Sequence, residues 1–175
     1  MIKYAAFLRG INVGGHHIVK MEDLRRIFAS MKFENVKTYI QSGNVIFETP
    51  ETNTDTLAEK IERELRKSYD FEIKTMPRAL AELEEIAAHN PFKDAGAKIY
   101  ITFLSAEPDA ELKDSLASFG NDFEVFRFRN REMYCLIRPN NPAKELFSNN
   151  FIEKHLKVAA TTRNVTTVNK ILLLK

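Results

Sequence analysis

The chain has 175 residues, 44% of them hydrophobic, with 26 Lys and Arg against 24 Asp and Glu. That is enough apolar material for a sizeable interior, while a formal net charge of +2 falls well short of the concentrated positive charge of non-specific nucleic-acid binders. No apolar run is long enough to span a bilayer, Met1-Ile2-Lys3-Tyr4 enters a strand pattern without a signal peptide, and the single Cys135 excludes an internal disulfide. The expectation is a cytoplasmic protein with no membrane partner, no metal and no cofactor.

Residues 3 to 9 form a mostly apolar run that predicts a buried strand, followed by a polar, glycine-bearing loop. Met21, Leu24, Ile27, Phe28 and Met31 then recur at helical spacing, with Arg25 and Arg26 on the wet side. Val36 to Gln41 and Asn44 to Glu48 are β-rich runs joined by Ser42-Gly43, the residue types of a tight hairpin. A second helix is predicted with Leu57, Ile61 and Leu65 on its apolar face and Thr56 and Glu59 as a capping box. Phe71 to Met76 supplies a fourth strand, and Pro77 opens a third helix that stops at Asn90-Pro91.

The second half repeats this order. Lys98 to Leu104 predicts a strand, and a helix opening at Pro108 ends with Gly120 as its C-terminal cap. A hairpin of Glu124 to Arg129 and Met133 to Arg138 turns at Asn130-Arg131, and helical sequence runs from about Pro142. A last helix from about Asn164 has no counterpart in the first half. The predicted architecture is α+β: two ferredoxin-like βαββαβ units in tandem, with helices packed on antiparallel sheets. The implied boundaries are 1–76 for the first unit, 77–97 for a connecting helix and loop, and 98–175 for the second unit with its C-terminal helix.

Polar residues concentrate at two places. The run from Arg9 to Lys20, with Asn12, Gly14, Gly15, His16 and His17, resembles a phosphate-cradling loop before a helix but lacks the P-loop and dinucleotide patterns. Glu22 and Asp23 in the following helix turn favour the helix dipole themselves and repel a phosphate at that helix end. An ordinary long turn explains the loop equally well. Gln41, Ser42 and Asn44 are turn formers too, although Gln41 interrupts a β-branched and aromatic run.

Thr161-Thr162-Arg163-Asn164 precedes the last predicted helix with no acid in its first turn, which makes it the better anion site: Arg163 can pair bidentately with phosphate or carboxylate. Simple capping by Thr162 or Asn164 is the competing explanation. His16 and His17 diverge, His89 and His155 stand in separate helices, and no metal spacing recruits them. Cys135, between Tyr134 and Leu136, reads as a small buried hydrophobe. Arg127, Arg129, Arg131 and Arg138 interleave with Phe126, Phe128 and Tyr134, but alternation turns the arginines to solvent and the aromatics to the core.

Together, Phe7 to Gly15, Lys20-Met21, Thr38 to Val45 and Ala160 to Asn164 resemble domain-of-unknown-function family 1697, with Asn90-Pro91-Phe92 and Asn150 to Lys154 similar to its middle and late motifs. The resemblance implies a small bacterial protein with a duplicated ferredoxin-like architecture and supplies no substrate. It adds weight to Arg9, Asn12, Gln41, Ser42, Asn44, Arg163 and Asn164. Two departures stand out: Val165 replaces an aromatic common in the family, and Lys157 replaces a common glycine.

The resulting expectation is a pocket shared by the N-terminal loop and the Thr162–Asn164 segment, holding a small anionic or nucleotide-like ligand. Arg9 and Arg163 neutralise charge, Asn12, Gln41, Ser42, Asn44, Thr162 and Asn164 hydrogen-bond, and Gly14 and Gly15 present main-chain N–H groups. Three alternatives stay open: a hydrolase or phosphotransferase using Ser42 or His17, a nucleic-acid module on the Arg127–Arg138 hairpin, and a protein-interaction domain. No residue pattern assigns catalytic residues or an oligomeric state.

Overall fold

The computed structural model describes residues 1–174, and the chain divides into two compact units. Unit 1 spans Met1–Glu85 together with the residues from Lys170, and unit 2 spans Ile86–Asn169. In chain order the elements are β1 (Ile2–Leu8), α1 (Met21–Ser30), β2 (Glu34–Tyr39), β3 (Asn44–Thr49), α2 (Thr54–Ser68), β4 (Thr75–Ala79) and α3 (Leu80–Ala88). They continue with β5 (Lys98–Leu104), α4 (Ala110–Ala117), β6 (Glu124–Arg129), β7 (Glu132–Ile137), α5 (Asn149–Leu156), β8 (Ala160–Asn164) and α6 (Val165–Leu172).

Each unit is an α+β layer built on a four-stranded antiparallel sheet, ordered β2-β3-β1-β4 in the first and β6-β7-β5-β8 in the second. Alternation along β1 sends Tyr4, Ala6 and Leu8 into a core with Phe28, Phe47, Leu57, Ile61 and Leu65. Ala5 and Phe7, on the opposite face, are also fully buried. Unit 2 places Leu104, Phe126, Met133 and Cys135 against Leu116, Ile152 and Leu156. Both central strands are buried on both faces, which is why they read as continuous apolar runs.

The repetition reaches single residues. Ala5 opposes Arg78 as Ile101 opposes Arg163, so Tyr4, Phe7 and Leu8 correspond to Tyr100, Phe103 and Leu104. The backbone bonds beyond the strands repeat as well: Leu8 N–H donates to Gly43 O and Leu104 N–H to Arg131 O, while Arg9 N–H donates to Lys74 O and Ser105 N–H to Ala159 O. The last helix does have a counterpart, contrary to expectation. Helix α3 follows β4 directly, as α6 follows β8.

Several local expectations are corrected. Pro77 lies inside β4 instead of opening a helix; β4 is a sheet edge, where a missing donor on the outward side costs no ladder bond. Helix α2 is capped not by Thr56 and Glu59 but by Asn53, whose Oδ1 accepts from the N–H groups of Asp55 and Thr56. The first hairpin has a four-residue connection, 40–43, because Tyr39 and Asn44 close the ladder. Gly120 is not in the left-handed region of a cap; a Cβ there would sit 3.0 Å from Ala117 O and 3.1 Å from Glu124 O, so close backbone approach requires the glycine. Helix α5 begins only at Asn149, capped by Ser148, and Lys157 ends it at φ +60°. That left-handed C-terminal position is where glycine is cheapest.

Three edge strands share one device. Arg78, Arg127 and Arg163 each fold back so that Nη1 donates to the carbonyl of the preceding residue, Pro77, Phe126 and Thr162, at 2.9 Å. A side chain thereby occupies an edge carbonyl that would otherwise template another strand.

Candidate functional site

The first polar segment starts where β1 ends. Bonds from Leu8 N–H to Gly43 O (2.8 Å) and from Arg9 N–H to Lys74 O (2.9 Å) fix the chain on both sides at Arg9. Val13 and His16 then pair across Gly14 and Gly15, with His16 N–H donating to Val13 O at 3.0 Å. Positive φ at both glycines, +59° and +78°, makes this the tight turn that favours glycine at its centre. The two glycines are therefore explained by the turn, and their N–H groups lie on an exposed tip.

Asn12 organises the loop. Its Nδ2 donates to Val19 O at 2.9 Å and to Gln41 O at 2.8 Å, and its Oδ1 accepts from Val19 N–H at 2.9 Å. Its own N–H donates to His17 O, and its φ of +54° is one that asparagine tolerates better than most residues. His17 is engaged as well, with Nδ1 3.2 Å from Gly10 O and its ring stacked on Phe71 at 4.3 Å. Ile11 and Val19 anchor the loop into the unit 1 core.

The hairpin connection 40–43 lies against this loop. Phe7 pairs with Asn44, so the end of β1 and the β2–β3 turn share one end of the sheet. Arg9, Asn12, Gly14, Gly15, Gln41, Ser42 and Asn44 are thus brought to that end, with the Asn12 amide joining the two loops. Buried Asn44 donates through Nδ2 to Tyr39 O and Ser42 Oγ. Gly43 has φ +80°, and a Cβ on it would lie 2.7 Å from Ile11 Cδ1 and 2.9 Å from Leu8 Cβ. From Arg9 to Lys20 the chain carries Arg9, His16, His17 and Lys20 and no acid. Among the acids that follow, Glu22 is exposed in the first turn of α1, Asp23 pairs with Arg26, and Glu72 pairs with Arg66 and Lys74.

Thr162-Arg163-Asn164 is strand, not loop. Thr162 Oγ1 lies 2.8 Å from Thr102 Oγ1 and donates to Asn149 Oδ1, and Asn164 Oδ1 accepts from Thr166 N–H at the start of α6. Arg163 is only 6% exposed, donates to Thr161 Oγ1 and Thr162 O, and has its pKa pushed down to about 10 by burial. Both of these bonds run to residues of the strand that carries the guanidinium. The β-branched pair Thr161-Thr162 was the available signal for this strand. Arg78, its unit 1 equivalent and 1% exposed, had no signal in its residue type.

On the second hairpin, Phe126 and Phe128 pack into the unit 2 core while Arg127 is exposed, as alternation requires. Cys135 is fully buried, and desolvation pushes its thiol far up the pH scale. The described residues hold no group of three or more His, Cys, Asp or Glu placed to bind a metal ion. None of their helices is long and apolar enough to cross a membrane.

Residues 1–134 match the family described as Protein of unknown function (DUF1697). No curated protein matches the chain. Among solved structures, the conserved bacterial protein SP0830 from Streptococcus pneumoniae is similar at 26% identity, over 99% of this chain and 98% of that one, with a TM-score of 0.76.

Proposed function

The chain belongs to DUF1697, a family of unknown function, and from the geometry of its first unit we propose that it binds a small phosphate-type anion on the Arg9–Lys20 loop and the adjoining 40–43 connection. The observation that carries this reading is a loop with four basic or imidazole side chains and no acid, held in one conformation by the Asn12 amide. Ordering a loop before the ligand arrives reduces the entropy that binding must overcome. Exposed Lys20 and the Gly14-Gly15 tip offer donors to the anion, and half-buried Arg9 brings a charge to the start of the same loop. Asn12 is in this reading a positioning residue. Thr162, Arg163 and Asn164 are left out, because they lie in a strand and bond to α5, to β8 itself and to the start of α6.

Equilibrium dialysis against labelled orthophosphate, repeated with Arg9→Ala and Lys20→Ala, tests the reading. Saturable binding that weakens at least about tenfold in either variant, with an unchanged melting temperature, is the expected result. Binding indifferent to both substitutions contradicts it.

A further inference from the structure

Three large aliphatic side chains stand out into solvent on the same two loops: Val13 is 66% exposed, Ile18 59% and Ile40 49%. Each adjoins a residue of the Asn12 latch: Val13 follows Asn12, Ile18 precedes Val19, and Ile40 precedes Gln41. Ile40 is costly twice over, since a β-branched residue sits in the left-handed region at φ +50° and its apolar surface stays wet. Strain of this kind persists only where the surrounding structure over-determines it, and binding sites are among the places where it collects. Lys20 lies beside Val19, and Arg25 reaches the same sheet end by donating to Thr38 Oγ1.

The occupant must be anionic and must also accept apolar side chains. A second copy of this chain fails the first condition, because the same cationic loops would face each other. A free nucleotide needs a concavity that encloses most of its surface, whereas these side chains stand exposed on loops. A standard protein interface takes about 20–30 residues a side, more than two short loops provide. An anionic bilayer surface receives projecting aliphatics and pairs its phosphates with the cations around them.

We infer that the 10–20 and 40–43 loops dock unit 1 onto an anionic lipid surface, Val13, Ile18 and Ile40 entering the headgroup boundary while Arg9, Lys20 and Arg25 meet lipid phosphates. Attachment is to the surface. The inference rests on the anion reading above and adds where the phosphate resides.

Cosedimentation of the full chain with phosphatidylglycerol vesicles, phosphatidylcholine vesicles and no vesicles tests it, alongside a Val13→Ser/Ile18→Ser/Ile40→Ser variant checked for unchanged circular dichroism and melting temperature. The expected result is binding to phosphatidylglycerol only, reduced at least about fivefold in the triple variant, whose orthophosphate affinity stays at the wild-type value. Orthophosphate binding without vesicle binding overturns the lipid inference and leaves the anion reading intact. Vesicle and phosphate binding that both survive Arg9→Ala and Lys20→Ala overturn both. Self-association of the wild type that the triple variant disperses, or ATP-induced shifts at the three aliphatic residues without vesicle binding, assigns the surface to another occupant and overturns the inference.

Discussion

Asn12 carries more of the loop's structure than any residue around it, because one planar amide meets two Val19 backbone groups and the Gln41 carbonyl. Asn12→Ala removes all three bonds and leaves an alanine in the left-handed region. A loss of about 3 kcal/mol is expected in urea unfolding, with hydrogen exchange in residues 12–19 accelerated. The glycines separate by their surroundings. Gly43→Ala drives a Cβ to within 2.7 Å of Ile11 and 2.9 Å of Leu8, whereas Gly15→Ala meets nothing within 4 Å. Urea unfolding should therefore show about 1 kcal/mol lost at Gly15 and clearly more, above about 2 kcal/mol, at Gly43. Equal losses would contradict the packing seen around Gly43.

Among the elements, α5 ends on a residue poorly suited to its backbone. Lys157 holds φ +60° at the C-terminal cap, so Lys157→Gly should raise stability by about 1 kcal/mol and delay melting. The edge strands give a second expectation. Arg127 occupies the Phe126 carbonyl on the outer edge of β6, so Arg127→Ala should aggregate faster on heating, read by light scattering, with little change in melting midpoint. Existence and type of most elements were legible because their apolar periods are long: β1, α1, α2 and both hairpins fall within a few residues of where alternation and helical spacing put them. β8 was not legible. Its Thr-Thr-Arg-Asn sequence has no apolar face, and its arginine is buried, against the rule that charge faces water. Pro77 misled for a related reason, since proline opens helices but also sits on sheet edges.

The chain as a whole carries the same βαββαβ unit twice, each followed by a helix, in matching strand order and register. Sequence comparison by eye shows little of this, because packing conserves positions and volumes more than identities; only Tyr4/Tyr100, Phe7/Phe103 and Leu8/Leu104 survive in the first strands. The candidate site does not repeat. Unit 1 joins β2 to β3 through four residues and follows β1 with a cationic loop, while unit 2 turns in two residues at Asn130-Arg131. The residue types of the Arg9–Lys20 loop were legible in the sequence, because glycines and cations stand out after an apolar strand. The clustering of Arg9 with Gln41 was not, because it depends on strand direction.

Anion binding on the Arg9–Lys20 loop is read residue by residue in an amide-resolved NMR titration of the full chain with orthophosphate. Saturable shifts concentrated at Gly10, Gly14, Gly15 and His16, and abolished by Arg9→Ala or Lys20→Ala, are predicted. Shifts absent from this loop, or centred on Thr162 to Asn164, would show that the loop does not take the anion.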